Sequence, residues 1–464
     1  MEFINRKEEL DFLNKRWQEK GAQLIPIYGK RRVGKTELTL QFIKDKPHIY
    51  FLSESVPKEL QLRKFAEVAG GFFNDKFITQ GGFRDWVQAL EYLSKKKEKM
   101  VIIIDEFPYL VEGDPATPSL FQKGWDLYLK DSPLFIILLG SSIGMMERTT
   151  LFYRAPLYGR RTGQIRLQPF SFKQLKEAFE AFPFEERLTI YSIVGGMPPY
   201  INLFRRQKRN IWEVVKDQIL TKGSLLYEEV EFLLREELKE PRNYFAILIA
   251  LSLTKTKLSE ILNETGFDKG TVSRYLSILQ DLQIVTKEVP VTEKVPQKSR
   301  KGLYRIEDNF FNFWFRFIFR NRDLLEEGKK KEVLKMVKRG IGEILSRNYE
   351  KISLETLKEA VSKRKLPIYF TRYGRWWEKG EEIDIVAVNQ EQNKILFGEV
   401  KWSNRPVGTN IYKDLKQKAQ KVISKRRPKK KYFCLFSKTG FTQAMLDIAK
   451  EEGVFLFEKD SLIV

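Results

Sequence analysis

Along the first third of the chain, apolar positions come in short unbroken runs. Residues 23–28 are mostly apolar with Pro26 among them, residues 100–104 are apolar throughout, and residues 134–139 repeat the pattern. Runs of this length predict strands buried on both faces, as in a parallel sheet. After residue 36 the spacing changes to the helical period, and residues 170–250 keep that period with mixed charge. An apolar helix core at 245–253 is followed by Lys257-Leu258-Ser259-Glu260-Ile261-Leu262, by Gly266-Phe267-Asp268, and by residues 269–282 with Val272, Leu276 and Leu279 apolar. This pattern predicts helix, turn, helix. Residues 283–290 and 302–305 predict two strands, with a basic, polar tip at 292–301 between them. Residues 310–319, with Trp314, predict core packing or a connector. Near the end, residues 383–388 and 394–402 predict a hairpin turning at 389–393. On its second strand, alternation places Glu399 and Lys401 on one face and Val400 on the other.

Composition narrows the classes. A chain of 464 residues predicts two to four domains, and 42% hydrophobic residues suffice for ordinary cores. The formal net charge is +22, which predicts an anionic partner, nucleic acid first and a membrane surface second. A Lys/Glu-rich thermophile surface would lie nearer charge balance. Cys434 is the single cysteine, so no intramolecular disulfide or cysteine zinc site forms. His48 is the single histidine, which excludes a histidine triad or a histidine metal centre within one chain. Chemistry must then run on carboxylates, Lys, Arg, Ser/Thr and divalent metal. The start, Met-Glu-Phe-Ile-Asn-Arg, does not read as a signal peptide, and the apolar runs are too short to span a bilayer. A cytoplasmic protein with no membrane partner is expected. Lys329-Lys330-Lys331 marks the sharpest shift in composition and is read as a linker.

Three segments carry candidate chemistry in the first half. Gly29-Lys30-Arg31-Arg32-Val33-Gly34-Lys35-Thr36 fits G-x-x-x-x-G-K-[ST], between a predicted strand and a predicted helix. Gly29 and Gly34 permit the tight turns that aim backbone N–H groups at phosphates, and Arg32 lies within the same loop. Lys35 would reach the β- and γ-phosphates and Thr36 would hold Mg²⁺. Asp105, at the carboxyl end of its strand, would complete the Mg²⁺ shell, and Glu106 would polarise the attacking water. Ser141, in Gly140-Ser141-Ser142, would sense the γ-phosphate.

These segments resemble the archaeal P-loop ATPases of the AAA+/STAND group, related to origin-recognition ATPases. The resemblance begins at Phe3-Ile4-Asn5-Arg6-Lys7-Glu8-Glu9-Leu10 and covers roughly the first 300 residues. It implies ATP as the nucleotide, and Asn5 and Arg6 as adenine-side contacts. Within Leu157-Tyr158-Gly159-Arg160-Arg161-Thr162 it implies that Arg160 serves as an arginine finger or sensor. Gly195-Gly196-Met197-Pro198 looks like a lid motif whose Pro198 packs near the base.

In the last third, the hairpin brings Asp384 beside Glu399. Two carboxylates on adjacent strands make a hard oxygen site for Mg²⁺ or Mn²⁺, with Lys401 placed to orient water. Ile383-Asp384…Glu399-Val400-Lys401 resembles the PD-(D/E)XK nuclease core, over roughly residues 340–464. That resemblance implies a further glutamate from the preceding helix, for which Glu350 is the match; no proline precedes Asp384, unlike the strict pattern. Residues 401–431 hold 12 Lys/Arg against the single acid Asp414, which favours a phosphate backbone as partner.

The expected fold is α/β: a P-loop ATPase core (1–168), a helical lid (169–245), a winged helix (246–308), a connector (309–340) and a restriction-endonuclease-like domain (341–464). The expected function is ATP-coupled DNA binding with metal-dependent cleavage. The alternatives are a STAND-type signalling switch with non-cleaving C-terminal domains and a homo-oligomeric motor with an arginine supplied in trans.

Overall fold

In a computed structural model, described over residues 3–206, 210–238, 240–366, 368–426 and 428–464, the chain divides into two compact units. Residues 1–178 with 196–202 form one, and residues 179–195 with 203–464 form the other. The division falls inside the segment expected to be a lid. Residues 196–202 return to the first unit, where the Phe170 N–H donates to the Gly196 carbonyl at 2.8 Å.

The first unit is built on five strands: β1 (Gln23–Tyr28), β2 (His48–Leu52), β3 (Val101–Asp105), β4 (Phe135–Gly140) and β5 (Ile165–Arg166). All pair in parallel, in the order β2-β3-β4-β1-β5. Strands β1, β3 and β4 are buried along their whole length. Alternate side chains serve opposite faces. Ile25, Ile27, Val101, Ile103, Phe135, Ile137 and Leu139 pack with Leu38 and Phe42 of the helix Lys35–Ile43. Leu24, Ile102, Ile104, Ile136 and Leu138 pack with Phe65 and Trp86 on the other side. This is why the runs are unbroken: both faces of a parallel sheet are covered. From β1 the chain passes to β2 at the edge and returns through β3 to β4, which lies beside β1, so the carboxyl ends of β1, β3 and β4 line one crevice.

The second unit begins with helices. Pro241–Ser252, Leu258–Thr265 and Lys269–Asp281 are followed by an antiparallel pair, β6 (Val285–Glu288) and β7 (Leu303–Ile306). Asp268 caps the third of these helices, its side chain accepting from the Thr271 N–H. Residues 310–318 are core: Phe310, Phe311, Phe313, Trp314, Phe315, Phe317 and Ile318 are all buried. The basic run read as a linker is instead the start of the helix Lys330–Gly340, whose Val333 and Val337 are buried. Its apolar side faces inward, and the lysines occupy the solvated side.

The helix Gly342–Ser362 leads into a six-stranded mixed sheet: β8 (Arg372–Glu378), β9 (Glu381–Asn389), β10 (Lys394–Lys401), β11 (Lys430–Ser437), β12 (Phe455–Glu458) and β13 (Ser461–Leu462), in the order β13-β12-β11-β10-β9-β8. Strands β8, β9 and β10 are antiparallel neighbours, while β10, β11 and β12 run parallel. The helix Thr409–Arg426 supplies the crossover from β10 to β11, packing Tyr412, Leu415, Ala419 and Val422 onto the sheet. Among the described residues, no helix is long and apolar enough to cross a membrane.

Candidate functional sites

The loop after β1 turns at Gly34, with φ at +94°, a conformation that L side chains rarely adopt. It opens the helix Lys35–Ile43. The Lys35 Nζ donates to the carbonyls of Gly29 at 3.0 Å and Lys30 at 3.1 Å. Arg32 lies in the left-handed region at φ 63°. The Thr36 hydroxyl donates to Oδ2 of Asp105 at 3.3 Å, and the Glu106 N–H donates to Oδ1 at 2.8 Å.

Glu106 occupies the left-handed region (φ 51°, ψ 48°) ahead of the helix Phe107–Gly113. For a non-glycine residue this costs on the order of 1–2 kcal/mol. The turn aims its carboxylate at Ser141, whose Oγ donates to Oε2 at 2.9 Å and whose N–H lies 3.4 Å from the same oxygen. Lys35, Thr36, Asp105, Glu106 and Ser141 are therefore assembled at the carboxyl edge of the sheet. Pro198 joins them, its Cγ lying 3.7 Å from where a Cβ on Gly34 would be.

The sequence reading did not single out Tyr50. Its hydroxyl makes a short hydrogen bond to Oδ2 of Asp105. Burial, then that bond and the Asp105 charge, push the phenol well above its ordinary pKa, so it stays a donor. The signal in the sequence is a tyrosine within the run 49–52, which is otherwise apolar.

Two residues expected at the nucleotide are engaged by other groups in the structure. Arg6 is 4% exposed, and its Nη2 donates to the carbonyls of Val33 (3.1 Å) and Gln168 (2.7 Å). Its guanidinium also lies over the Phe170 ring and pairs with Glu9. These bonds commit Arg6 to tying the phosphate loop to the segment after β5, and Asn5 accepts from the Arg6 N–H at 2.6 Å. Arg160 is not brought to the loop. It pairs through two hydrogen bonds with Asp126, at 3.1 and 2.9 Å. Its neighbour Thr162 bonds to Leu24 at the amino end of β1. Leu24 is four residues, roughly 13 Å, from Tyr28, where the loop begins.

The second assembly lies in the other unit. Ile385 pairs with Gly398, so the next step of the ladder sets Asp384 of β9 opposite Glu399 of β10. Both are buried. Asp384 accepts the Val400 N–H at 3.0 Å. Lys401 Nζ is 2.7 Å from Oε1 of Glu399, and Lys418 Nζ is 3.6 Å from the same oxygen. The other oxygen, Oε2, is buried without a hydrogen-bond partner among the described residues. Burial, then the charges of Glu350 and Glu399, push Asp384 up to about 7, opposed by the Val400 N–H and Arg375. Two facing carboxylates, one with a bare buried oxygen, fit a hard divalent cation. Glu350 comes near enough for its charge to be felt, yet it is held by Arg347 Nη1 at 2.9 Å. No group of three or more His, Cys, Asp or Glu among the described residues is arranged to hold a metal.

Residues 3–204 match the family described as an ATPase domain predominantly from Archaea. Residues 185–304 match a domain of unknown function, and residues 314–423 match a family of archaeal and bacterial proteins of unknown function. An uncharacterized protein of Methanocaldococcus jannaschii is 37% identical over 423 residues, covering 90% of this chain and 92% of the relative. Among solved structures, the Walker-type ATPase of Pyrococcus abyssi matches with a TM-score of 0.50 at 22% identity, covering 68% of this chain and 96% of that one. The ORC2 protein of Aeropyrum pernix, solved as ADPNP–ADP complexes, gives a TM-score of 0.45 at 12% identity over 71% of this chain and 97% of its own. The parallel sheet, the loop after β1 and the near full-length relative agree: the chain belongs to the family of that Methanocaldococcus protein, with an archaeal P-loop ATPase domain in its amino-terminal part.

Proposed function

We propose that the chain binds and hydrolyses ATP and couples its nucleotide state to DNA binding, with metal-dependent DNA cleavage in the C-terminal unit. The observation that carries the reading is the Thr36–Asp105 hydrogen bond, with Lys35, Glu106 and Ser141 around it. Thr36 and Asp105 would hold Mg²⁺, which supplies charge neutralisation across the β- and γ-phosphates. Lys35 leaves its loop carbonyls for phosphate oxygens. Glu106, released from Ser141, orients the water, and Ser141 then faces the γ-phosphate. Pro198 closes over the loop from the returning segment. Arg160, paired with Asp126, would act only on the nucleotide of a second copy.

Residues 246–308 are proposed as a winged helix. The exposure of Lys269, Ser273 and Arg274 on the helix Lys269–Asp281 supports contact with a phosphate backbone. Residues 341–464 are proposed as a PD-(D/E)XK-like domain. There Asp384 and Glu399 would hold a metal that would supply Lewis-acid polarisation of a phosphodiester, and Lys401 would position the water.

One observation favours a second reading, a STAND-type switch whose C-terminal modules regulate and do not cut: Glu350 is engaged by Arg347 and does not complete a three-carboxylate site. The separating experiment incubates the protein with single-stranded, duplex and branched DNA in Mg²⁺ or Mn²⁺, with and without ATP, beside Asp384→Ala. Cleavage lost in the variant supports the nuclease. Intact DNA with binding retained supports the switch.

A further inference from the structure

Glu288, at the end of β6, lies under three guanidinium groups. Arg347 Nη2 bonds to both its oxygens, at 2.5 and 2.6 Å. Arg375 Nη1 is 3.6 Å away and Arg305 Nε is 3.4 Å away. Arg347 and Arg375 each reach a second acid, and it is the same one. Arg347 Nη1 is 2.9 Å from Oε2 of Glu350, and Arg375 Nε is 3.6 Å from that oxygen. Arg375 is also fixed by Glu382 at 2.9 Å. These side chains line a cavity of about 260 Å³ formed by β6, β7, the helix Gly342–Ser362 and β8. Arg347 and Glu350 stand three residues apart on one helix, so they share a face.

An arginine bridging two carboxylates is a strong, directional clasp. A metal recruiting Glu350 to the Asp384–Glu399 pair must compete with the two guanidinium groups that hold its carboxylate through Oε2. We infer that Arg347 and Arg375, anchored by Glu288 on the β6–β7 hairpin, compete with divalent metal for Glu350 and hold the carboxylate site in a two-ligand state. This rests on the reading of Asp384 and Glu399 as a metal site, and it adds a means of regulating that site. A movement of the hairpin carries Glu288 and Arg305 with it and leaves Arg347 and Arg375 without the acid that anchors them beside Glu350. Glu288 keeps Arg305 and Arg375 if Arg347 is replaced, so Arg347→Gln leaves no buried acid without a charged partner.

The test is Mn²⁺ binding to the full chain without nucleotide, by calorimetry, after thermal melting has shown each variant to be folded. Arg347→Gln is expected to bind Mn²⁺ at least threefold more tightly than the unmodified protein. The gain should vanish in Arg347→Gln/Glu350→Gln, and Arg347→Lys, which keeps the charge but lacks the planar two-pronged guanidinium, should fall between. If Arg347→Gln does not fold, Arg375→Gln carries the same expectation. Unchanged or weaker Mn²⁺ binding in the folded variant overturns the clasp while the metal site stands. Mn²⁺ binding that is absent, or identical in Asp384→Ala, overturns the metal site and the clasp together.

Discussion

Asp105 has both oxygens occupied by donors from three elements: Thr36 and Tyr50 on Oδ2, and the Glu106 N–H on Oδ1. A carboxylate fixed in this way presents its remaining lone pairs in one direction, which would suit it, with Thr36, to hold Mg²⁺. Tyr50→Phe removes one hydroxyl and keeps the ring. It is expected to lower kcat about tenfold, or about 1.4 kcal/mol of barrier, and to raise the Mg²⁺ concentration needed for half-maximal ATPase activity. ATP affinity measured in chelator should not move. An unaltered Mg²⁺ dependence would show that the hydroxyl only packs. Arg6 makes the complementary point: two carbonyls and a ring engage it, so Arg6→Ala should act through loop order and stability and not through base preference. A comparison of ATP and GTP affinity would show this as an equal loss for both.

The strands β1, β3 and β4 were legible because their burial pattern is written locally, as unbroken apolar runs, and the loop Gly29–Thr36 was legible because its function needs contiguous residues. Asp384 and Glu399 were legible through alternation and one short turn. The contacts that join distant segments were not. Tyr50 meets Asp105 across 55 residues, and Arg347 meets Glu288 across 59. No periodicity encodes such pairs. Lys329-Lys330-Lys331 misled because a solvated helix face and a linker share a composition. Gly196 shows how elements constrain each other: a Cβ there would lie 1.8 Å from the Phe170 carbonyl oxygen. Gly196→Ala should cost about 3 kcal/mol, the upper part of the overpacking range, and show as a lowered Tm with loss of ATP binding. The cluster under β6 gives a pH prediction. Burial pushes Glu288 up, but Arg347, Arg375 and Arg305 outweigh it and hold its pKa below the ordinary carboxylate value. Its stabilisation is therefore complete above the unfolded pKa and is lost as pH falls through the folded one. Glu288→Gln should cost about 3 kcal/mol at pH 7, and the difference from the unmodified protein should shrink in melts taken progressively below about pH 4.5, the ordinary value for a glutamate.

At the scale of the molecule, a formal charge of +22 dominates how the chain meets polyanions. Binding through several lysines and arginines releases counterions, so duplex affinity should fall by at least about a hundredfold between 50 and 200 mM salt. A flat salt response would argue against a phosphate backbone as the partner. In the proposed function, the state of the nucleotide at Lys35 and Thr36 is felt by the surfaces proposed to bind DNA. The most direct test is the dissociation constant for a duplex at fixed salt, with and without saturating ATP and Mg²⁺, for the unmodified protein and for Lys35→Ala. A change of about fivefold or more with ATP is expected, absent in Lys35→Ala. Equal affinities in the unmodified protein, with ATP binding verified in the same samples, would contradict it.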